Sequence, residues 1–126
     1  MVQTVTLMQD TSHDPGRLVA KAVINAGAAL GLSQAEIAQI IGVSPSQISK
    51  FKSGSATLVD KPYELALYLI RVFRSLDAIT GGDAETNRTW MRNDNTDLRG
   101  SPADLAKSVA GLVNVMAYLD AQRAPL

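Results

Sequence analysis

Two helix start signals follow closely on one another in the stretch SQAEIAQIIGVSPSQISKFKSG, from Ser33 to Gly54. In Ser33-Gln-Ala-Glu36 the serine hydroxyl can bond a free backbone N–H while the glutamate reaches back to the cap, a capping box. Ser44-Pro-Ser-Gln47 repeats the pattern, with Pro45 at the first helical position, where a missing N–H costs nothing. Gly42 ends the first helix after barely two turns, and Gly54 ends the second. Ile37, Ile40 and Ile41 form the stripe to be buried on the first; Ile48 and Phe51 form that on the second. Two short helices joined by a tight turn that opens on glycine make a helix-turn-helix. Ala38 falls at the crossing, where only a small side chain fits, and Val43 joins Ile37, Ile48 and Phe51 in the contacts between the helices. The alternative is an ordinary α-hairpin in a bundle, which does not require small residues at both crossing and turn.

The flanking segments can bury such a pair. Asp14-Pro15 is a helix start, after which Leu18, Val19, Ala22, Val23, Ala26 and Leu30 recur at helical spacing until Gly31. Asp60-Lys-Pro62 opens a long helix through about Thr80. Leu65, Leu69, Val72, Leu76 and Ile79 line one face of it, and Ala66, Leu67, Ile70 and Phe73 fill a second. A helix apolar on two sides must be covered on two sides, so it is expected to be the spine between two halves or part of a dimer interface. Beyond the break at Gly81-Gly82, Asp83 can cap a short helix with Trp90 and Met91, and Asn93 to Asp97 is turn chemistry. Ser101-Pro102 then leads into Leu105, Val109, Leu112, Met116 and Leu119, a pattern that Gly111 can split. Strand alternation is confined to the first seven residues of a polar arm, 1–14. The fold is predicted to be all α: an N-terminal helix-turn-helix bundle, a long joining helix and a small C-terminal helical domain.

Composition narrows the function classes. With 46% hydrophobic residues a packed globule is expected. The absence of cysteine excludes disulfides and thiolate chemistry. His13, the sole histidine, lies in the polar arm, and Asp94 and Asp97 lack the glycine and distal glutamate of a calcium loop. No enzyme, metal or cofactor is expected. No apolar run approaches the roughly 18 residues of a membrane span, and the start lacks a basic-then-apolar leader, so a cytoplasmic protein is expected. Twelve basic residues balance twelve acidic ones; a strongly basic domain would itself point to nucleic acid, whereas here DNA binding has to come from local arrangement.

That arrangement is the helix from Pro45 to Ser53, which contains no acidic residue. Its N-terminal end would lie in the major groove with Ser44, Ser46, Gln47, Ser49 and Lys50 towards base edges. Gln can pair with adenine, Lys can reach guanine, and Ser can serve several bases. Lys52 and Gln34 would bond phosphates. The plainer reading is simple solvation, with Ser44 explained by capping. So thin a basic footprint calls for a dimer. The segment resembles the helix-turn-helix of the Xre, or lambda-repressor-like, group.

The chain continues for a further third with Leu76-Asp-Ala-Ile79, Gly82-Asp83, Trp90-Met91, Asn95, Leu98-x-Gly100-x-Pro102, Leu105, Gly111 and Tyr118-Leu-Asp120. With the upstream helix-turn-helix, this resembles the Xre/MbcA/ParS family of type II antitoxins. The matching part, about Leu65 to Asp120, corresponds to the toxin-binding domain; SPADLAKSVAG departs from it where relatives often show a more acidic segment. The resemblance implies a RES-domain toxin that uses NAD, whose active-site cleft the antitoxin's C-terminal region blocks, and a complex that binds its own promoter as operator DNA. It divides the chain into an arm (1–14), a DNA-binding region (15–64) and a toxin-binding and dimerisation domain (65–126). Trp90 reads as core filler under the last helix or as an anchor for the partner. Tyr118, Asp120, Arg123 and Leu126, at an end expected to be mobile, are the other candidates for toxin contact, with a frayed helix end as the plain alternative. The runner-up function is a stand-alone dimeric repressor.

Overall fold

A computed structural model describes residues 14–123. Among them seven helices follow one another: α1 (Pro15–Ala29), α2 (Gln34–Ile41), α3 (Pro45–Ser53), α4 (Asp60–Thr80), α5 (Ala84–Arg92), α6 (Pro102–Leu105) and α7 (Val109–Arg123). The polar arm with His13, and the alternation in the first seven residues, lie outside the described residues.

The helix-turn-helix forms as its start and stop signals dictate. Ser33 Oγ accepts from Glu36 N at 3.1 Å while Glu36 Oε1 accepts from Ser33 N at 3.0 Å. Gly42 ends α2 in the left-handed region at φ 80°, and its N–H and that of Val43 both reach the Ala38 carbonyl. A Cβ-bearing residue is strained in that conformation. Ile37, Ala38, Ile48 and Phe51 are buried, with Val43 packed against them.

The first helix buries Val23, Ala26 and Leu30 of its expected stripe but leaves its first turns more open. Leu18 is 53% exposed and Ala22 is also exposed, while Gly16, Ala20, Val23, Ile24, Ala26 and Gly27 are buried. The cause is close approach. A side chain at Gly16 would overlap Thr57 and the Leu58 backbone, and one at Gly27 would overlap Ile37. Gly16 and Gly27 thus let α1 approach its neighbours closely, while Val23, Ile24 and Leu30 fill the core beside them.

In α4, Leu65, Leu69, Val72 and Leu76 are buried as expected, but Ile79 is 45% exposed. On the second face Ala66 is buried, Ile70 and Phe73 are half-buried, and Leu67 is 42% exposed. The spine is thus fully covered on one side only, by α1, α2 and α7.

Beyond Gly81-Gly82, Asp83 caps α5 by accepting from Thr86 N at 3.2 Å. Buried Asn87 ties α5 back to α4, donating to Asp77 Oδ1 at 2.9 Å and accepting from Thr80 Oγ1 at 2.6 Å. The pattern from Leu105 to Leu119 does not split at Gly111. It breaks at Ala106–Ser108, and α7 runs unbroken through the glycine. Gly111 instead permits contact, because a Cβ there would overlap the Leu105 carbonyl oxygen. The buried side of α7 is Leu112, Val115 and Leu119; Val109 is exposed and Met116 only half-buried.

Candidate nucleic-acid and protein interfaces

The candidate DNA-facing edge lies on α3. Ser44, Ser46, Gln47, Ser49, Lys50 and Lys52 are all exposed, as is Gln34 at the first position of α2. Gln47 is not free as a whole: its Oε1 accepts from Ser44 N at 2.9 Å and faces the Ser44 hydroxyl at 3.3 Å. The hydroxyls of Ser44 and Ser46 lie 3.1 Å apart and bond one another. Gln47 therefore caps the helix with its oxygen and presents its amide nitrogen outward. Ser49, Lys50 and Lys52 have no side-chain hydrogen bond or ion pair among the described residues and stand ready for solvent or a ligand.

The far end of α3 is pinned to the start of α1. Arg17 Nη1 donates to the Gly54 carbonyl at 2.6 Å, and Arg17 Nε pairs with Asp14 Oδ2 at 3.3 Å. Thr57 Oγ1 donates to the other oxygen of Asp14 at 3.1 Å. This fixes the tilt of α3 through side chains that no local pattern singles out.

A second fixation joins the two halves of the molecule. Arg92, in the last turn of α5, grips Glu36 with both terminal amino groups, at 2.8 and 2.6 Å, and bonds the Gly31 carbonyl at 2.6 Å. Lys107 approaches the same carboxylate at 3.3 Å and Asp104 at 3.0 Å. The Arg92 guanidinium, with help from the Ser33 N–H and Lys107, holds the Glu36 carboxyl far below the usual glutamate range. The carboxylate raises the Arg92 pKa in turn. One side chain thus caps the first helix of the helix-turn-helix and anchors the C-terminal half.

The C-terminal candidates are less loose than their position suggested. Trp90 stacks on Tyr118 with ring centroids 6.4 Å apart and planes at 18°. The Tyr118 hydroxyl donates to Asp97 Oδ2 at 3.0 Å, and that bond raises the phenol's pKa. Asp120 accepts from Arg71 Nε at 2.9 Å and from buried Ser75 at 3.0 Å, and Arg123 reaches Ser75 at 3.4 Å. An end expected to be mobile is thus fastened to α4 through Asp120; Leu126 lies outside the described residues. Trp90 packs only in part, as one of its two readings expects, and keeps an open face. It is half-buried against Tyr118, and it also lines a cleft of about 400 Å³ with Asp83, Glu85, Thr89 and Asp94.

The described residues contain no group of three His, Asp or Glu placed to hold a metal ion, and no helix long and apolar enough to cross a membrane.

Residues 11–71 match the family model of the antitoxin Xre-like helix-turn-helix domain. Residues 75–124 match that of the antitoxin Xre/MbcA/ParS C-terminal toxin-binding domain. No individually curated protein matches the chain. Both matched domains are binding domains, and their order along the chain follows the two halves of the fold. The chain therefore joins an Xre-like DNA-binding helix-turn-helix to an Xre/MbcA/ParS toxin-binding domain, and it is an antitoxin of a toxin–antitoxin system.

Proposed function

We propose that this antitoxin neutralises a RES-domain, NAD-using toxin by covering its active-site cleft, and that it represses its own operon as a homodimer within a larger complex. The work divides between residues 15–64, which hold the operator, and 65–126, which hold the toxin. What supports this is an exposed, acid-free edge on α3 together with a separate aromatic cleft at Trp90, on one helical scaffold. Ser44, Ser46, Ser49, Lys50 and the amide nitrogen of Gln47 read bases, while Lys52 and Gln34 fasten the phosphates. Trp90 provides the toxin anchor, because large aromatic rings with one free face dominate the energy of protein interfaces. Tyr118 braces it by stacking, and Asp120 and Arg123, held against Arg71 and Ser75 on α4, offer further polar contacts to the toxin together with Leu126.

Co-expression with the product of the adjacent gene tests the toxin half. Growth arrest and NAD depletion by that product alone, relieved by this chain, are the expected result. A chain that gives no relief and does not co-purify with the product would sink it. Gel-shift titration on the upstream promoter tests the operator half.

A further inference from the structure

We infer that the phosphate-holding surface of this chain does not stop at the helix-turn-helix: Arg88 and Arg92 of α5, in the toxin-binding half, extend it past the start of α2. The inference rests on the proposed operator contact, in which Gln34 meets phosphate, and goes beyond the division of work between residues 15–64 and 65–126.

Four residues apart, Arg88 and Arg92 share one face of α5, and Trp90, two residues from each, lies on another. The arginine face meets the turn that leads into α2. The stem of Arg88 covers Gly31, where a Cβ would stand 3.1 Å from its Cγ and 3.3 Å from its Cδ. Arg92 Nη2 donates to the Gly31 carbonyl at 2.6 Å. Gln34 follows only three residues after Gly31, so both side chains flank the segment that carries it.

The two arginines have different tasks. Glu36 turns its carboxylate back to the Ser33 N–H at 3.0 Å, which sets a negative charge beside Gln34. Charges act over about 8 Å at physiological salt, so a bare carboxylate there would repel a phosphate held by Gln34. Arg92, with both terminal amino groups, and Lys107, at 3.3 Å, cancel that charge. Arg92 is thus a positioning residue that acts through Glu36. Arg88 is exposed and has no hydrogen bond or ion pair among the described residues, which leaves its guanidinium available to a phosphate oxygen. At this corner Arg88, Arg92 and Lys107 outweigh Glu36 and Asp104 by one positive charge, while Glu85 lines the cleft at Trp90. The helix-turn-helix needs the help: α3 supplies only Lys50 and Lys52, and each further phosphate neutralised adds salt-dependent affinity.

Gel-shift titration of the full chain over a salt series tests this, on the upstream promoter and on an unrelated duplex. Arg88→Gln should weaken binding to both duplexes several-fold and by the same factor, because phosphate carries no sequence. It should also lower the log–log salt slope by about 0.9 for each bound copy of the chain. Arg92→Gln, at unchanged helical circular dichroism, should weaken both duplexes as well. Glu36→Gln placed in the Arg92→Gln protein should restore most of that loss, since it removes the exposed charge but cannot rebuild a missing brace. Wild-type affinity in either single variant, or an Arg92→Gln defect that Glu36→Gln leaves in place, overturns the inference. A wild type that binds neither duplex removes the operator contact itself and this inference with it, so the two failures are told apart.

Discussion

Lys50 stands on the open face of α3 with no acidic neighbour in its helix. On the proposed reading, reversing its charge sets a carboxylate against the DNA and removes a base contact of about 1–3 kcal/mol. Lys50→Glu is expected to weaken operator binding by tenfold or more in a gel-shift titration, roughly 1.4 kcal/mol for each factor of ten. Gly111 offers a test of packing. Gly111→Ala drives a methyl into the Leu105 carbonyl and should cost about 1–3 kcal/mol, read as an earlier urea midpoint with an unchanged slope. At this scale the sequence was legible wherever chemistry is local: the Ser33–Glu36 capping box, the left-handed glycines 42 and 54 that end α2 and α3, and the buried isoleucines follow from neighbours three or four residues away. Gln47 shows the limit. Its two-ended side chain suits both a cap and an adenine, and the fold divides the two ends between those tasks.

At the scale of elements, the joint between the halves depends on Glu36, Arg92 and Lys107. Arg92→Ala removes two charge-assisted hydrogen bonds to Glu36 and the bond to the Gly31 carbonyl. The pair is partly solvated, so the expected loss is about 1–2 kcal/mol. Its pH dependence follows from the lowered Glu36 pKa. A carboxyl depressed by folding stabilises the fold above its ordinary value of 4.5, and that contribution is lost as pH falls through the folded value. Chemical denaturation should therefore show a constant gap between wild type and Arg92→Ala at pH 6–7, and a gap that shrinks below about pH 4.5. A gap unchanged down to pH 3 would show that Arg92 does not stabilise the fold through the Glu36 charge. Element positions were readable from caps and periodicity, but closeness of approach was not. Gly16 and Gly27 carry no hydrophobic signal, yet they let α1 approach its neighbours closely. The clamp was hidden for a different reason: its partners lie 56 residues apart, and surface arginines and glutamates pair in many ways.

At the scale of the whole molecule, the all-α architecture and the order of its two domains were legible, because each helix announces its ends. The uncovered face of α4 was half legible. Its second apolar stripe showed that something must cover it, and only the packing of α7 to one side shows where the opening lies. The candidate toxin contacts were the least legible, since Tyr118 and Asp120 look terminal in sequence but are bound to Asp97, Arg71 and Ser75 in the fold. Deleting residues 119–126 would remove buried Leu119 along with Asp120 and Arg123, so point substitutions are the sounder probes. Trp90→Ala should weaken the toxin complex by about 2 kcal/mol or more, measured by calorimetry, with operator binding retained.

The central claim is that groove reading and toxin capture use separate surfaces of one antitoxin scaffold. The most direct measurement titrates Lys50→Glu in parallel against operator DNA and against the toxin. Operator affinity reduced at least tenfold beside unchanged toxin neutralisation is the predicted result; wild-type operator affinity, or the loss of both activities together, would contradict it.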